Sequence, residues 1–495
     1  VLNVDLLVLG GGINGVGIAR DAAGRNLRVA LVEMGDLGGG TSSASSKMIH
    51  GGLRYLETYD FALVRESLQE REILAQAAPH LVEPLTLVIP HDRLQRPRWL
   101  IRLGLFLYDA MAASRRFARA RAVGLDKGPL AAALKPEYAR GFTYSDGWTD
   151  DARLVVANAL DAKARGAVIL PRTKAVGALP RNGQWQVTVD GPDGRQDITA
   201  GALVNATGPW AAYVDRTVIG IENPPRLRLV KGSHMVVPRL SADPHGYLLQ
   251  ATDGRVVFVL PYAHDFHLIG TTEVTVADMA TPPAITPAEV DYLLATVARY
   301  FRHAPAPSDV VHSFSGVRPL YDDGKENASK VSREYVLTLR HIRNAPVLSV
   351  YGGKLTTYRA LAEKALQKLA PHLPGMGPAW TRTGVLPGGD FLDGMDGLLG
   401  RLTARAPWLP GEVAERWARA YGEEAFTVLG TAKSRKDLGA EVIPGLYAQE
   451  ITYLVRHEWA HTADDILWRR TQLGLTSPPG AATILQQWLD QKGAP

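Results

Sequence analysis

Cysteine is absent from the 495 residues. That excludes disulfides, cysteine-ligated zinc, iron–sulfur clusters and any cysteinyl link to a prosthetic group. Redox chemistry in such a chain has to use a bound organic cofactor or a metal held by other ligands. Long hydrophobic runs are also missing. No stretch reaches the ~18–20 apolar residues of a membrane span, and the nearest, residues 99–113, is interrupted by Arg102 and Asp109. The first residues lack the basic start and apolar core of a secretory signal, which points to the cytosol. Net charge is only +5, and residues 93–121, with eight arginines against one aspartate, hold more than all of it. The apolar residues between those arginines, such as Leu100, Ile101, Leu103, Phe106 and Leu107, suit an anionic membrane surface better than a nucleic-acid groove, so no nucleic-acid partner is expected. A buried helix with solvated flanking arginines fits the same pattern.

What is present is enough chain for about three domains. Its 46% hydrophobic and 21% charged residues are those of a folded globular protein rather than a disordered one. Residues 5–10 form a short apolar run typical of a buried parallel strand, followed at once by Gly10-Gly-Gly-Ile-Asn-Gly15 and a helical stretch. Glycines at 10, 12 and 15 allow a tight turn, close approach of a pyrophosphate to bare backbone, and close helix–strand packing. A second apolar strand, residues 28–32, ends at Glu33, where a carboxylate can accept hydrogen bonds from the ribose hydroxyls of an adenosine. This pattern predicts a dinucleotide site without separating NAD from FAD. A long polar segment bearing glycines, residues 41–55, then offers a way to follow an extended cofactor.

Here the chain closely resembles the FAD-dependent (aerobic, respiratory) glycerol-3-phosphate dehydrogenases. The residues that carry the likeness are the Gly10 motif, Ser42-Ser-Ala-Ser-Ser-Lys47 and His50-Gly-Gly-Leu-Arg-Tyr-Leu56. The resemblance implies an α/β fold: a glutathione-reductase-like FAD-binding Rossmann domain, an interleaved mixed-sheet substrate domain and a helical C-terminal domain. The expected boundaries are 1–80, 150–215 and 345–375 for the FAD-binding domain, 81–149 and 216–344 for the substrate-binding domain, and 380–495 for the helical domain.

Non-covalent FAD is then expected on Gly10, Gly12, Asn14, Gly15 and Glu33, and on Thr41, Ser42, Ser45, Ser46 and Lys47. His50, Gly51, Gly52 and Leu53 continue that set. Strand-like runs at 167–170, 185–189 and 202–205 lead into Ala206-Thr-Gly208, which is expected to return to the cofactor together with Trp210, while the segment Thr173-Lys-Ala-Val176 is expected near the adenine. Further on, Gly353, Lys354, Leu355 and Thr356 open a helix whose N–H groups and Lys354 charge suit the flavin N1–C2=O edge, where negative charge appears on reduction.

The substrate implied is glycerol 3-phosphate. Arginines bind phosphate through bidentate donors, and Arg54, Arg318 and Arg333 are the candidates, with Tyr55 and Thr271 as hydrogen-bonding neighbours. His234 is the candidate acid/base, because imidazole titrates near ~6.5 and can take the C2 hydroxyl proton as hydride leaves C2. Arg54 and Lys354 share the catalytic role in this reading.

The implied reaction is oxidation to dihydroxyacetone phosphate, with electrons passing to a membrane quinone from a peripheral (monotopic) protein on the cytoplasmic face of the cell membrane. A homodimer is left open. Two rival readings stand: an oxidase that passes electrons to oxygen, and a non-catalytic, FAD-containing membrane-associated regulator. After residue 371 the chain turns Gly/Pro-rich and then helical at 411–421, 449–458 and 462–471. His457-Glu-Trp-Ala-His461 matches the metalloprotease spacing. With no third ligand in view it is read as part of the helical domain, and no metal is expected.

Overall fold

The computed structural model describes residues 2–53, 56, 60–92, 95–112, 116–322 and 335–492. Strand β1 (Leu2–Leu9) lies inside an eight-stranded sheet, parallel to β2 (Val29–Val32) on one side and to Gly194–Asn205 on the other. Both of its faces are covered, which is why it reads as an unbroken apolar run. Leu6 and Val8 pack with Val16 and Ile18 of helix α1 (Ile13–Gly24), and with Leu154 and Leu361 of the helices Asp151–Ala164 and Tyr358–Leu369. Leu7 and Leu9 point the other way, onto Trp185, Val187 and Val189 of an antiparallel layer.

The second sheet has ten strands. Its long strand Leu227–Pro238 pairs antiparallel with His312–Tyr321 along nearly its whole length, and with Phe266–Gly270. Helix Pro287–Tyr300 packs on one face through Leu293, Val297 and Tyr300. Helices α2 (Phe61–Ala77) and α3 (Arg98–Ala112) lie over another part, with Leu68, Leu105 and Tyr108 buried.

Sheet membership differs from the expected boundaries at two places. Strand β3 (Met48–Ile49) pairs with Gly147 and Trp148 in the second sheet rather than the first. Strand Val336–Ile342 belongs to the first sheet, because a two-residue turn at Arg343 and Asn344, both with positive φ, folds it antiparallel onto Ala345–Tyr351.

The C-terminal unit has its own core around Trp417, Tyr421, Leu446 and Leu454. Helices occupy Gly411–Tyr421 and Ala448–Glu458, and the expected third is helical over 463–470, with a wide-turned stretch at Asp465–Arg470. Helix Ala448–Glu458 ends inside the His-Glu-x-x-His spacing. Trp459 adopts a left-handed φ of 56°, so His457 and His461 do not share one helix face. Glu458 is instead buried against Arg153 and Arg470.

Among the described residues no helix is long and apolar enough to cross a membrane. Helix α3 nevertheless leaves Trp99 (68% exposed), Leu103, Phe106 (65%) and Leu107 uncovered. At positions i, i+4, i+7 and i+8 they form one outward stripe.

Candidate active site

The β1–α1–β2 unit begins the site. Gly10 has φ +105°, and a Cβ there would lie 2.6 Å from the Ala206 carbonyl oxygen, so the turn closes against the Ala-Thr-Gly strand end only with glycine. A Cβ on Gly15 would lie 1.9 Å from the Gly10 carbonyl oxygen, which makes it the packing glycine of the motif. Glu33 accepts from the backbone N–H of Gly11 and of Gly35, at 2.7 Å each, so its carboxylate is already oriented. Burial raises its pKa, and those two amides pull against the shift. The Ile13 N–H donates to Ser42 Oγ at 3.0 Å, which ties the polar segment after β2 to the N-terminus of α1.

Around this turn opens a cavity of about 1450 Å³. That exceeds the ~300–1,000 Å³ of an ordinary small-molecule pocket and leaves room for a cofactor and a second reactant. Gly10, Gly12, Asn14, Glu33, Thr41 and Ser42 line one end. First-turn helix N–H groups have no i−4 carbonyl; that of Ile13 is met by Ser42, and those of Asn14 and Gly15 follow it in the same turn. The Asn14 carbonyl oxygen is buried with no hydrogen-bond partner among the described residues. The bare glycine turn at the helix N-terminus fits a pyrophosphate, and the unmet Asn14 oxygen calls for a donor such as a hydroxyl of the same dinucleotide.

Ser45, Ser46, His50, Ala206, Gly208, Trp210, Gly353, Lys354 and Leu355 continue the lining. Lys354 donates to the His50 carbonyl at 2.5 Å, and Thr356 Oγ1 accepts from the His50 N–H, so two segments three hundred residues apart form one wall. That wall would hold the flavin ring.

The second sheet supplies the facing wall: Gly232, His234, Phe258, Thr271, Gly316 and Arg318. The His234 ring stacks on Phe314, with centroids 5.1 Å apart, and its Nε2 meets Ser46 Oγ at 2.8 Å. A Cβ on Gly270 would lie 2.0 Å from His234 Cδ2, so the strand beside the ring has to be bare. Burial, then the charges of Arg318 and Lys47, push the imidazole pKa down to about 3. It is therefore neutral at physiological pH, and a proton placed on it is held only weakly. Arg318 reaches Thr271 Oγ1 at 3.2 Å and Glu273 at 3.4 Å.

Residues 5–359 match the family described as FAD dependent oxidoreductase, and residues 379–491 match the C-terminal domain of alpha-glycerophosphate oxidase. The chain belongs to the FAD-dependent oxidoreductase family. This oxidoreductase is 47% identical to a glycerol-3-phosphate dehydrogenase of Pseudomonas aeruginosa, over 99% of this chain and 95% of the relative. It is 45% identical to the D-erythritol 1-phosphate dehydrogenase of Brucella abortus, over 98% of this chain and 97% of that one. Among solved structures, the glycerol-3-phosphate dehydrogenase from Bacillus halodurans complexed with FAD matches with a TM-score of 0.78 and 27% identity, covering 99% of this chain and 90% of that chain.

Not every residue expected at the cofactor reaches the cavity of this flavoprotein. Lys47 is 4% exposed and pairs with Asp151 at 2.5 Å, away from the lining. Burial opposes its charge, but Asp151 outweighs that and holds the ammonium above the usual lysine range. Gly51 and Gly52 stand behind the wall, the former donating to the Tyr108 hydroxyl at 2.9 Å, and Leu53 packs towards α2 and α3. Thr356 is likewise buried behind it, and Val176 faces away while Thr173, Lys174 and Ala175 line the cavity. Arg54, Tyr55 and Arg333 lie outside the described residues.

Three groups that sequence reading passed over also shape the site. Asn205 accepts from the Thr207 N–H and hydroxyl and so fixes the Ala-Thr-Gly turn. Glu289 accepts from Lys231, Ser233 and Thr272, the neighbours of His234 and Thr271. Burial raises the Glu289 pKa, but those bonds prevail and bring it down to about 2. Thr286 and Glu289 form a capping box, whose Thr-x-x-Glu spacing was readable. The third group, Thr462, Asp464, Asp465 and Arg469, lines the cavity from the C-terminal unit.

Proposed function

We propose that this protein oxidises sn-glycerol 3-phosphate at C2 to dihydroxyacetone phosphate and passes the electrons to a membrane quinone. The observation that carries the reading is the convergence of a neutral buried His234 and a guanidinium, Arg318, on one wall of the dinucleotide cavity. FAD bound there supplies the acceptor for the hydride that leaves C2. Arg318, with Thr271 beside it, grips the phosphate, and Arg54 and Arg333 join them by the family resemblance. The C2 hydroxyl proton passes to Ser46 Oγ as the Ser46 proton passes to His234 Nε2, 2.8 Å away, and Phe314 against the ring face fixes the imidazole. Lys354 keeps a positive charge at the opposite wall.

The Pseudomonas and Brucella relatives are named for phosphorylated polyols, which supports a secondary alcohol next to a phosphate as the substrate. The uncovered stripe of α3, with Arg102 exposed on the same helix and Arg116, Arg119 and Arg121 exposed shortly after it in the chain, suits a helix lying in an anionic leaflet. That seating puts the quinone pool within reach on the cytoplasmic face.

Anaerobic addition of glycerol 3-phosphate should bleach the flavin, and glycerol should not. A panel including erythritol 1-phosphate ranks the substrates. Re-oxidation by a quinone analogue should outrun re-oxidation by oxygen, and release of hydrogen peroxide at the same rate would make the protein an oxidase. No bleaching by any phosphorylated polyol would end the proposal.

A further inference from the structure

We propose that the C-terminal helical unit is part of the cofactor site: its segment 458–470 clasps the adenosine end of the cavity and holds the Glu33 loop in its binding shape. The family match that covers dinucleotide binding stops at residue 359, and the C-terminal unit falls under a separate description.

The clasp is built from charge. Asp36, three residues after Glu33, is 3% exposed in its side chain and takes two guanidinium groups, Arg469 at 2.6 Å and Arg470 at 2.8 Å. Arg469 also reaches Asp464 at 2.8 Å and Asp465 at 2.7 Å, and Asp465 in turn holds Arg172 at 2.6 Å. The Arg172 N–H donates to the Gly35 carbonyl and the Thr173 N–H to the Glu33 carbonyl. Since the Gly35 N–H orients the Glu33 carboxylate, the chain of contacts runs from the C-terminal unit to the group expected on the ribose.

Burial raises the Asp465 pKa, but the amides of His461 and Thr462 and the charge of Arg172 overcome it and hold the carboxyl far below its usual range. The node is therefore ionised at any physiological pH. Two anchors fix the segment itself. Glu458 forms a buried pair with Arg153 of helix Asp151–Ala164, and Trp468 stacks on His312 of the second sheet with ring centroids 3.9 Å apart. Arg469 and Asp464 also line the cavity. The network is thus a wall for the ligand and a brace for the loop behind it.

The test titrates full-length apoprotein with FAD, followed by flavin fluorescence, and with ADP, followed by competition. Both readings are independent of turnover. Arg469→Ala should weaken FAD and ADP alike by about tenfold or more, since a charge-assisted bond network loses its hub. Arg401→Ala, an exposed arginine of the same unit paired with Asp393, should change neither. Arg469→Lys keeps the charge but cannot fork to three carboxylates, and should lie between. It also serves as the measurable variant should the alanine protein not fold. Unchanged affinity for FAD and ADP in a folded Arg469 variant would overturn the proposal, as would an equal loss in Arg401→Ala.

Discussion

Gly232→Ala tests the phosphate grip without touching the arginine that makes it. Gly232 pairs with Gly316 across the two long strands of the second sheet. A Cβ added there would lie 2.5 Å from Thr271 Oγ1 and 2.7 Å from Arg318 Nη2. Comfortable contact begins near ~3.5 Å, so both groups have to retreat by about 1 Å. The Arg318 end is 27% exposed and can swing away, which keeps the cost to the fold within about 1 kcal/mol. The cost to binding is larger. A hydrogen bond to a charged group contributes roughly 1.5–3 kcal/mol, which is about a tenfold to hundredfold change in Kd. Stopped-flow reduction of the flavin over a range of glycerol 3-phosphate concentrations measures it. Half-saturation should rise by that factor, FAD occupancy should be retained, and the limiting rate should move much less. Half-saturation within twofold of the parent would refute the assignment of Arg318 and Thr271 to the phosphate.

Two further substitutions probe buried charge. His80 is fully buried beside Arg153, and burial, then that charge, lower its pKa to about 3. The unfolded chain binds a proton near ~6.5 that the folded one refuses, so stability falls with pH between those values by about 1.4 kcal/mol per unit. His80→Leu should reduce the pH slope in urea titrations by that one-proton share, leaving the part due to His234, and pH curves parallel to the parent's would show that His80 is protonated in the fold. Lys47→Met leaves Asp151 buried without its cation and should cost about 3–5 kcal/mol in the same assay. Adding Asp151→Asn should recover part of the loss, and no recovery would mean that the pair is not coupled.

Whatever is contiguous along the chain was legible in advance. β1, its glycines, α1 and β2 with Glu33 come from one stretch of sequence in which each element constrains the next. Helix Gly411–Tyr421 appears at the residues its periodicity marks. Residues whose environment comes from far away were not legible. Lys47 belongs to a polar motif that runs along the cavity, yet its partner Asp151 is 104 residues on and pulls it out of the lining. The two serines just before it, Ser45 and Ser46, remain at the cavity. Val176 faces outward at an irregularity of its strand, where the pairing skips from Ala175 to Gly177, a break that the sequence alone does not mark. His234 was singled out for its chemistry, but the bare Gly270 beside it and the Phe314 beneath it emerge only when three strands are aligned.

The strand order of the first sheet also dictates a timetable. β1 is made first, yet its partner Gly194–Asn205 and that strand's neighbour Ala345–Tyr351 come much later. At ~5–20 residues per second on a ribosome, the interval to residue 351 is about 20–70 s. Until helix Asp151–Ala164 and strand Gly194–Asn205 are made, the apolar faces of Leu6, Leu7, Val8 and Leu9 have only β2 and α1 beside them, and the sheet is not complete before residue 351. The Gly352 loop that meets Asn14 is younger still. Loading of the flavin is therefore a late event in biogenesis, after more than two thirds of the polypeptide has been made.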